Sequence, residues 1–199
     1  MTANILLIRH AAHVELGRTL SGRRNDVALS PAGLEQAAIL ADLLGTQPIA
    51  AIYSSPRERA WYTARDIAEP HDLQVTIEEG LEEVDFGEWT GRSFAELEAE
   101  PEWRHWNEAR GSARCPGGES MAEAAARAVA ALESAARLHE GRTVVAVSHC
   151  DIIRAVLAHY LGLPLDHVLR FDIEPASVSR LTLGSWGGRV GSINERLYQ

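Results

Sequence analysis

The chain has 199 residues, of which 46% are hydrophobic, and its formal net charge is -9 at pH 7. This length suits a single domain with one sizeable core, and the negative charge argues against nucleic acid as a partner, because cationic contacts to phosphates dominate such binding. All 19 basic residues are arginine, which excludes mechanisms that need a Schiff-base or Walker-type lysine.

No apolar stretch reaches the roughly 18 residues of a membrane span, and the N-terminus lacks the pattern of a secretory signal. We therefore expect a cytoplasmic protein with no membrane partner. The two cysteines, Cys115 and Cys150, form neither a disulfide framework nor a CxxC zinc pair. A reducing compartment fits this cysteine usage.

Three apolar runs are each typical of a strand that is buried on both faces of a parallel sheet. Each run ends in polar residues: residues 5–8 lead into Arg9 and His10, residues 49–53 into Ser54 and Ser55, and residues 144–147 into Ser148 and His149. A weaker alternation predicts one more strand at residues 74–77.

Helical patterns follow these strands. Ser30 and Pro31 predict the N-cap and first turn of a helix that Gly45 ends. A second helix begins after the second strand, carries Arg59 in its first turn and ends before Pro70.

Residues 80–118 interrupt the alternation of strands and helices. They are rich in Glu, Trp and Gly and contain a short helix opened by the capping box of Ser93 and Glu96. We interpret them as a lid-like insertion over the rim of the sheet.

The remaining elements extend to the C-terminus. A second capping box, Ser120 and Glu123, opens an alanine-rich helix that stops near Gly141, and another helix covers about 151–161. Residues 178–183 and 190–193 predict a hairpin at the edge of the sheet. The pattern as a whole predicts a three-layer α/β/α sandwich with a mostly parallel sheet, in a single domain over residues 1–199.

The strand ends indicate where the chemistry lies, because open α/β sheets bind ligands beyond the carboxyl ends of their strands. We expect Arg9, His10, Arg59 and His149 to meet at that rim. A guanidinium presents a rigid fork to anionic oxygens, and helix N-termini add N–H donors. The cluster therefore suits a phosphate group.

Five segments carry a family resemblance: residues 7–10, residues 54–56 with Arg59 and residues 63–64, residues 81–91, residues 116–120, and residues 147–149 with Arg154. Their order and spacing resemble the histidine phosphatase family, also called the phosphoglycerate mutase-like superfamily. The resemblance spans nearly the whole chain. It implies the same fold and a phosphomonoesterase that acts on a small phosphorylated metabolite without a metal or other cofactor.

The resemblance also implies roles for individual residues. His10 is the expected nucleophile, because a neutral imidazole nitrogen can attack phosphorus and form a covalent phosphohistidine. Arg9, Arg59 and His149 would hold the transferred phosphoryl oxygens. Glu83, two residues after Leu81, would protonate the leaving alkoxide and then activate water; its neighbour Glu82 and Glu119 are the alternatives for this role.

Ser21, Gly22 and Arg18 resemble the loop that lines the family's phosphate pocket, and we expect them to bind substrate. The match is looser here. The segment from Gly22 to Asp26 is one residue longer than usual, Leu16 stands where many members have asparagine, and Ala11 replaces the usual glycine after the Arg-His pair.

Other functions compete with this one. A phosphomutase would use the same phosphohistidine, but residues 82–118 lack the extra basic segment of the family's mutases. A metal-dependent hydrolase would use His10 with His13 and His149 with Asp151, although arginine beside the site opposes a cation. A cysteine phosphatase would need arginine at Val156. A non-catalytic module that binds a phosphorylated ligand is the non-enzymatic alternative.

Overall fold

A six-stranded sheet, in the order β3-β2-β4-β1-β5-β6, organises the computed structural model, which describes residues 1–197. The strands are β1 (Thr2–Arg9), β2 (Ile49–Ser54), β3 (Val75–Ile77), β4 (Thr143–Ser148), β5 (Val178–Gly184) and β6 (Gly187–Glu195). The strands β1 to β4 run parallel to one another, whereas β5 is antiparallel to β1 and β6 is antiparallel to β5. The predicted mostly parallel sheet is confirmed, as is the hairpin at its edge.

Six α-helices accompany the sheet within the described residues: α1 (Pro31–Leu44), α2 (Glu58–Ala68), α3 (Phe94–Leu97), α4 (Pro101–Glu108), α5 (Met121–Leu138) and α6 (Cys150–Leu161). None of the helices in residues 1–197 is both long and apolar enough to cross a bilayer.

Alternate residues of β1 enter two different apolar clusters, because successive side chains of a strand point to opposite faces. Ile5 and Leu7 join a cluster with α5 and α6, whereas Leu6 and Ile8 join one with α1 and α2. Both faces of the sheet are therefore covered by helices, and the predicted three-layer α/β fold is confirmed.

The capping residues act as the sequence predicts. Ser30 Oγ accepts a hydrogen bond from the Gly33 amide at the start of α1. The capping boxes at Ser93 and Ser120 are both formed, at α3 and α5. These caps satisfy amides in the first turns, which have no partner within the helix.

Helix α4 was not predicted, since two tryptophans in an eight-residue polar stretch are too weak a periodic signal. It buries Trp103 and Trp106 in the same cluster as α5 and α6. Together with α3, it belongs to the predicted insertion at 80–118, which forms one wall of the cavity described below. The interpretation of this segment as a lid-like insertion and the single-domain organisation both stay predictions.

Gly33 is expected to be sensitive to the smallest side chain. A Cβ added there would lie 1.8 Å from the carbonyl oxygen of Ala12, and that carbonyl also accepts the Ser30 amide at 2.9 Å. Gly33→Ala should lower the free energy of unfolding by about 2 kcal/mol or more, as overpacking does. Gly191→Ala is the matched control, because its Cβ would meet no atom closer than 3.5 Å. Chemical denaturation of both variants tests this; equal effects would contradict it.

Candidate active site

Four of the predicted residues meet where β1 and β4 end and α2 begins. The imidazole centroids of His10 and His149 are 5.1 Å apart. Arg59 reaches both rings, with Nε 3.4 Å from His10 Nε2 and NH2 3.2 Å from His149 Nδ1. Arg9 immediately precedes His10 on β1. The structure thus gathers the two histidines and two arginines at one rim of the sheet.

His10 is buried, with 2% of its surface exposed. Its Nδ1 lies 2.8 Å from the carbonyl oxygen of Ala11. A carbonyl oxygen only accepts hydrogen bonds, so Nδ1 carries the proton and Nε2 keeps its lone pair. Burial, with the nearby charges of Arg59 and Arg9, lowers the pKa of His10 well below its ordinary value. The ring is therefore neutral at neutral pH, and its unprotonated Nε2 accepts from Arg59 Nε at 3.4 Å.

Arg59 is also buried, with 2% exposed. Its NH2 donates to the carbonyl oxygen of Gly22 at 2.7 Å, which joins the loop at residues 21–22 to the histidine pair. Burial lowers the pKa of Arg59 to about 10, opposed by the charge of Glu83. The guanidinium consequently keeps its charge at neutral pH.

His149 lies fully buried beneath Arg59. Because Arg59 donates toward Nδ1, the proton of this ring sits on Nε2, which is 2.7 Å from Ser55 Oγ. Burial and the charge of Arg59 lower the pKa of His149 well below its usual range. Ser55, from the predicted Ser-Ser-Pro segment, therefore orients this neutral histidine.

Glu83 lies across the site from these rings. Its Oε1 accepts the Val84 amide at 2.9 Å, and its Oε2 is 3.8 Å from His149 Nδ1. Burial and the negative charge of Asp151 raise the pKa of Glu83 to about 7, although Arg59 opposes the shift. A carboxyl group with a pKa near neutrality can give and take a proton at physiological pH.

The two other carboxylates considered for that proton transfer are held by arginines. Glu82 pairs with Arg57 at 2.7 Å, and Glu119 pairs with Arg127 at 2.9 Å. Among these three carboxylates, Glu83 lines the cavity.

Arg9 has a free donor in this cavity. Its NH1 donates to the carbonyl oxygen of Ile173 at 2.6 Å, which fixes the side chain. Its Nε is buried and has no hydrogen-bond partner among the described residues. Because an unpaired buried donor costs free energy, this atom suits an anionic oxygen of a ligand.

The cavity has a volume of about 300 Å³. We call inner part the residues around the histidine and arginine cluster, which are Arg9, His10, His13, Ser21, Gly22, Arg59 and Glu83. We call outer part the other lining residues, which are Leu16, Gly17, Thr19, Leu20, Phe86, Phe94, Trp103, Asn107, Arg110, Cys150, Asp151 and Arg154.

The predicted phosphate loop is only partly at this cavity. Ser21 and Gly22 line it, and Ser21 Oγ donates to Glu15 at 2.7 Å. Arg18 is not among the lining residues, although its chain neighbours Gly17 and Thr19 are, and its exposed side chain donates to the Val14 carbonyl. The expectation that Arg18 contacts substrate stays a prediction. Ala11 has an ordinary negative φ, so this position does not require the family's glycine.

A charged group in the outer part was not assigned to substrate binding from the sequence. Arg110 and Arg154 both pair with Asp151, at 2.8 Å and 3.5 Å. Arg110 is 5% exposed and lies over the Trp106 ring, with its guanidinium carbon Cζ 5.3 Å from the ring centroid. Burial would raise the pKa of Asp151, but the two arginines hold it below its usual value. Counted over these three side chains, which line the cavity, the net charge is +1; Arg154 also lies 3.7 Å from the exposed Asp172, which does not line it.

The ligand sets that other chemistries need are not assembled. Within residues 1–197, no group of three His, Cys, Asp or Glu side chains could hold a metal ion. Asp151, a ligand in the metal-hydrolase alternative, is paired with arginines instead. Burial raises the pKa of the Cys150 thiol to about 11, which keeps the thiol protonated and argues against a cysteine nucleophile.

A parallel α/β sheet with two neutral histidines and two charged arginines at its carboxyl edge defines a site for phosphoryl groups. The family model of the histidine phosphatase superfamily (branch 1) matches residues 5–196. The chain belongs to this superfamily, and the resemblance predicted from the five segments is confirmed.

Individual proteins give the same result. Phosphoserine phosphatase 1 of Hydrogenobacter thermophilus is 37% identical over 180 residues, which cover 88% of this chain and 84% of that protein. The solved structure of Bacillus stearothermophilus YhfR has a TM-score of 0.91 at 25% identity, with 98% of each chain covered. Mycobacterial glucosyl-3-phosphoglycerate phosphatase has a TM-score of 0.85 at 27% identity, with 98% of this chain and 100% of that chain covered.

Proposed function

We propose that this chain hydrolyses small phosphomonoesters through a covalent phosphohistidine at His10. The observation that carries the proposal is the unprotonated Nε2 of a buried neutral His10, which contacts the charged Arg59 in a cavity that Glu83 also lines. Nucleophile, cationic donors and proton source are the three components that this reaction requires.

In the first half-reaction, the lone pair of His10 Nε2 attacks phosphorus, and the bond from phosphorus to the ester oxygen breaks. Glu83, protonated at its raised pKa, gives its proton to that oxygen and the alcohol leaves. Arg9 and Arg59 hold the non-bridging oxygens, where positioned donors stabilise the developing charge, and His149 holds the Arg59 guanidinium by accepting from it.

In the second half-reaction, Glu83 is a carboxylate and takes a proton from a water molecule. The water oxygen attacks phosphorus, the bond from phosphorus to His10 Nε2 breaks, and inorganic phosphate leaves. Both groups return to their initial protonation states, so one carboxyl serves first as acid and then as base.

The outer part of the cavity supports a leaving alcohol that carries a carboxylate. Among the lining side chains, the two positive charges of Arg110 and Arg154 exceed the one negative charge of Asp151. The buried Nε of Arg110 has no hydrogen-bond partner among the described residues. Two of the similar proteins are named for phosphoserine and for a phosphoglycerate derivative. Phosphoserine and phosphoglycerate both have such a carboxylate near the ester.

Phosphate release from a panel of phosphomonoesters tests this function and its specificity. Phosphoserine and phosphoethanolamine differ by the carboxylate, and we expect kcat/KM to be about 10-fold or more higher for phosphoserine, the scale of a charged hydrogen bond. Equal values would contradict the proposed specificity. Release of phosphate from no ester of the panel would favour the non-catalytic module, and transfer of label to a second hydroxyl group would favour a mutase.

Turnover should also survive EDTA, since two charged arginines already provide the positive field that phosphoryl transfer in other enzymes takes from a metal ion. Vanadate should inhibit as a mimic of the transition state. Phosphate release measured with each additive checks both. Activity lost in EDTA and restored by zinc or manganese would contradict this proposal and support the metal-dependent hydrolase.

A further inference from the structure

We propose that Glu119 and Arg127 are positioning residues that fix the backbone of the Glu83 segment for proton transfer. This inference rests on the proposed role of Glu83. The two side chains belong to a half-buried network that the reaction does not use directly and that contacts the main chain on both sides of Glu83.

Arg127, on α5, holds three carbonyl oxygens of one short segment. Its NH1 donates to Gly80 at 2.9 Å and Glu82 at 2.7 Å, and its NH2 donates to Glu83 at 3.0 Å. Residues 82–86 belong to no helix or strand, so no regular ladder fixes them. A guanidinium with its donors in a rigid plane is suited to this task.

Glu119 holds the arginine and continues the contact along the chain. Its carboxylate accepts Nε and NH2 of Arg127, each at 2.9 Å, and the Asp85 amide at 3.0 Å. Its own amide donates to the Asp85 carbonyl at 2.8 Å. The main chain is thus clamped at Glu83 by Arg127 and at Asp85 by Glu119.

The same carboxylate reaches the phosphate loop through Arg23. Arg23 NH2 donates to Glu119 and Arg23 Nε donates to the Glu83 carbonyl, each at 2.9 Å. Arg23 directly follows Gly22, whose carbonyl accepts Arg59. The network therefore fixes the proton donor relative to the residues that hold phosphate.

The position of the Glu83 carboxyl group matters, because a displacement of a catalytic group by about 1 Å can cost roughly 10²-fold in rate. The side chain of Glu83 is itself anchored only to the amide of the next residue, Val84, and to the neighbourhood of His149. A shift of the backbone would consequently carry the carboxyl group with it.

The test is single-turnover phosphorylation of Arg127→Lys and Glu119→Gln with an alkyl phosphate and with p-nitrophenyl phosphate, whose leaving group needs little protonation. A lysine has three N–H donors on one atom and cannot replace the five hydrogen bonds that Arg127 makes from three nitrogens. We therefore expect the alkyl reaction to slow about 10-fold or more. The p-nitrophenyl reaction and the affinity for vanadate should change less than about 3-fold, because they report nucleophilic attack and phosphate binding.

Combining Arg127→Lys with Glu83→Gln gives the sharper readout. If Arg127 acts through Glu83, the double variant should be at most about 2-fold slower than Glu83→Gln alone. Arg137→Lys, an exposed substitution on the same helix, is the matched control. Equal losses for both esters, or fully additive losses in the double variant, would overturn the inference. Wild-type enzyme inert toward both esters would instead contradict the proposed function.

Discussion

Replacement of His10 by alanine is expected to abolish turnover and phosphoenzyme formation, with a loss on the order of 10⁴-fold or more, as removal of a covalent nucleophile does. The reason is that His10 lines the cavity with an unprotonated Nε2, whereas His149, which also contacts Arg59, is not among the lining residues. His149 directs its proton to Ser55 and its Nδ1 to Arg59, beneath the cavity.

Brief exposure to a labelled phosphomonoester, followed by quenching, measures this effect. A phosphoramidate is acid-labile and stable to base, so the label on wild-type enzyme should show that pattern, map to His10 and be missing in His10→Ala. His159→Ala, on the exposed side of α6, is a matched control that should keep the label. Label that persists in His10→Ala, or that maps to Cys150, would contradict the assignment.

Glu83→Gln should slow phosphorylation of the enzyme by alkyl phosphates about 10²-fold or more, the scale of general acid catalysis. An alkoxide leaves poorly without a proton, and glutamine has none to give. The p-nitrophenolate ion is a good leaving group, so the first half-reaction of p-nitrophenyl phosphate should lose less. Steady-state turnover of both esters can fall, because the same carboxylate also serves hydrolysis of the phosphohistidine.

Single-turnover rates as a function of pH separate this role from general damage. Burial raises the pKa of Glu83 to about 7, so the acid is protonated below that pH and loses its proton above it. Phosphorylation by an alkyl phosphate should therefore slow as pH rises through about 7, and this decrease should be missing in Glu83→Gln. Glu82→Gln is the neighbouring control. Equal losses for both leaving groups in Glu83→Gln would show that Glu83 is not the acid.

The layered fold was predictable because its signals are local. Residues 5–8 and 144–147 are apolar at every position, which only a strand covered on both faces requires, and Ser30, Ser93 and Ser120 mark helix starts by their own hydrogen bonds. The inner site followed from the same signals, since strand ends bring His10 and His149 together whatever the loops do.

Some contacts around the cavity were not predictable because they join distant parts of the chain. Arg110 meets Asp151 across 41 residues, and Arg127 reaches Glu83 across 44. No short spacing encodes these two pairs, and a lone arginine on a helix or loop is ordinarily a solvated side chain. The substrate contact expected of Arg18, whose loop matches the family loosely, stays a prediction.

The burial of Arg59 also bears on why this chain has arginine there. Burial lowers the pKa of Arg59 to about 10, and the group still has a wide margin of charge at neutral pH. The ordinary pKa of a lysine is about 10.4, and the same desolvation would lower it toward the working pH of the enzyme. Arg59→Lys would then make phosphate affinity decline in mildly alkaline solution. The guanidinium thus keeps phosphate binding constant over a pH range in which the acid Glu83 already loses its proton.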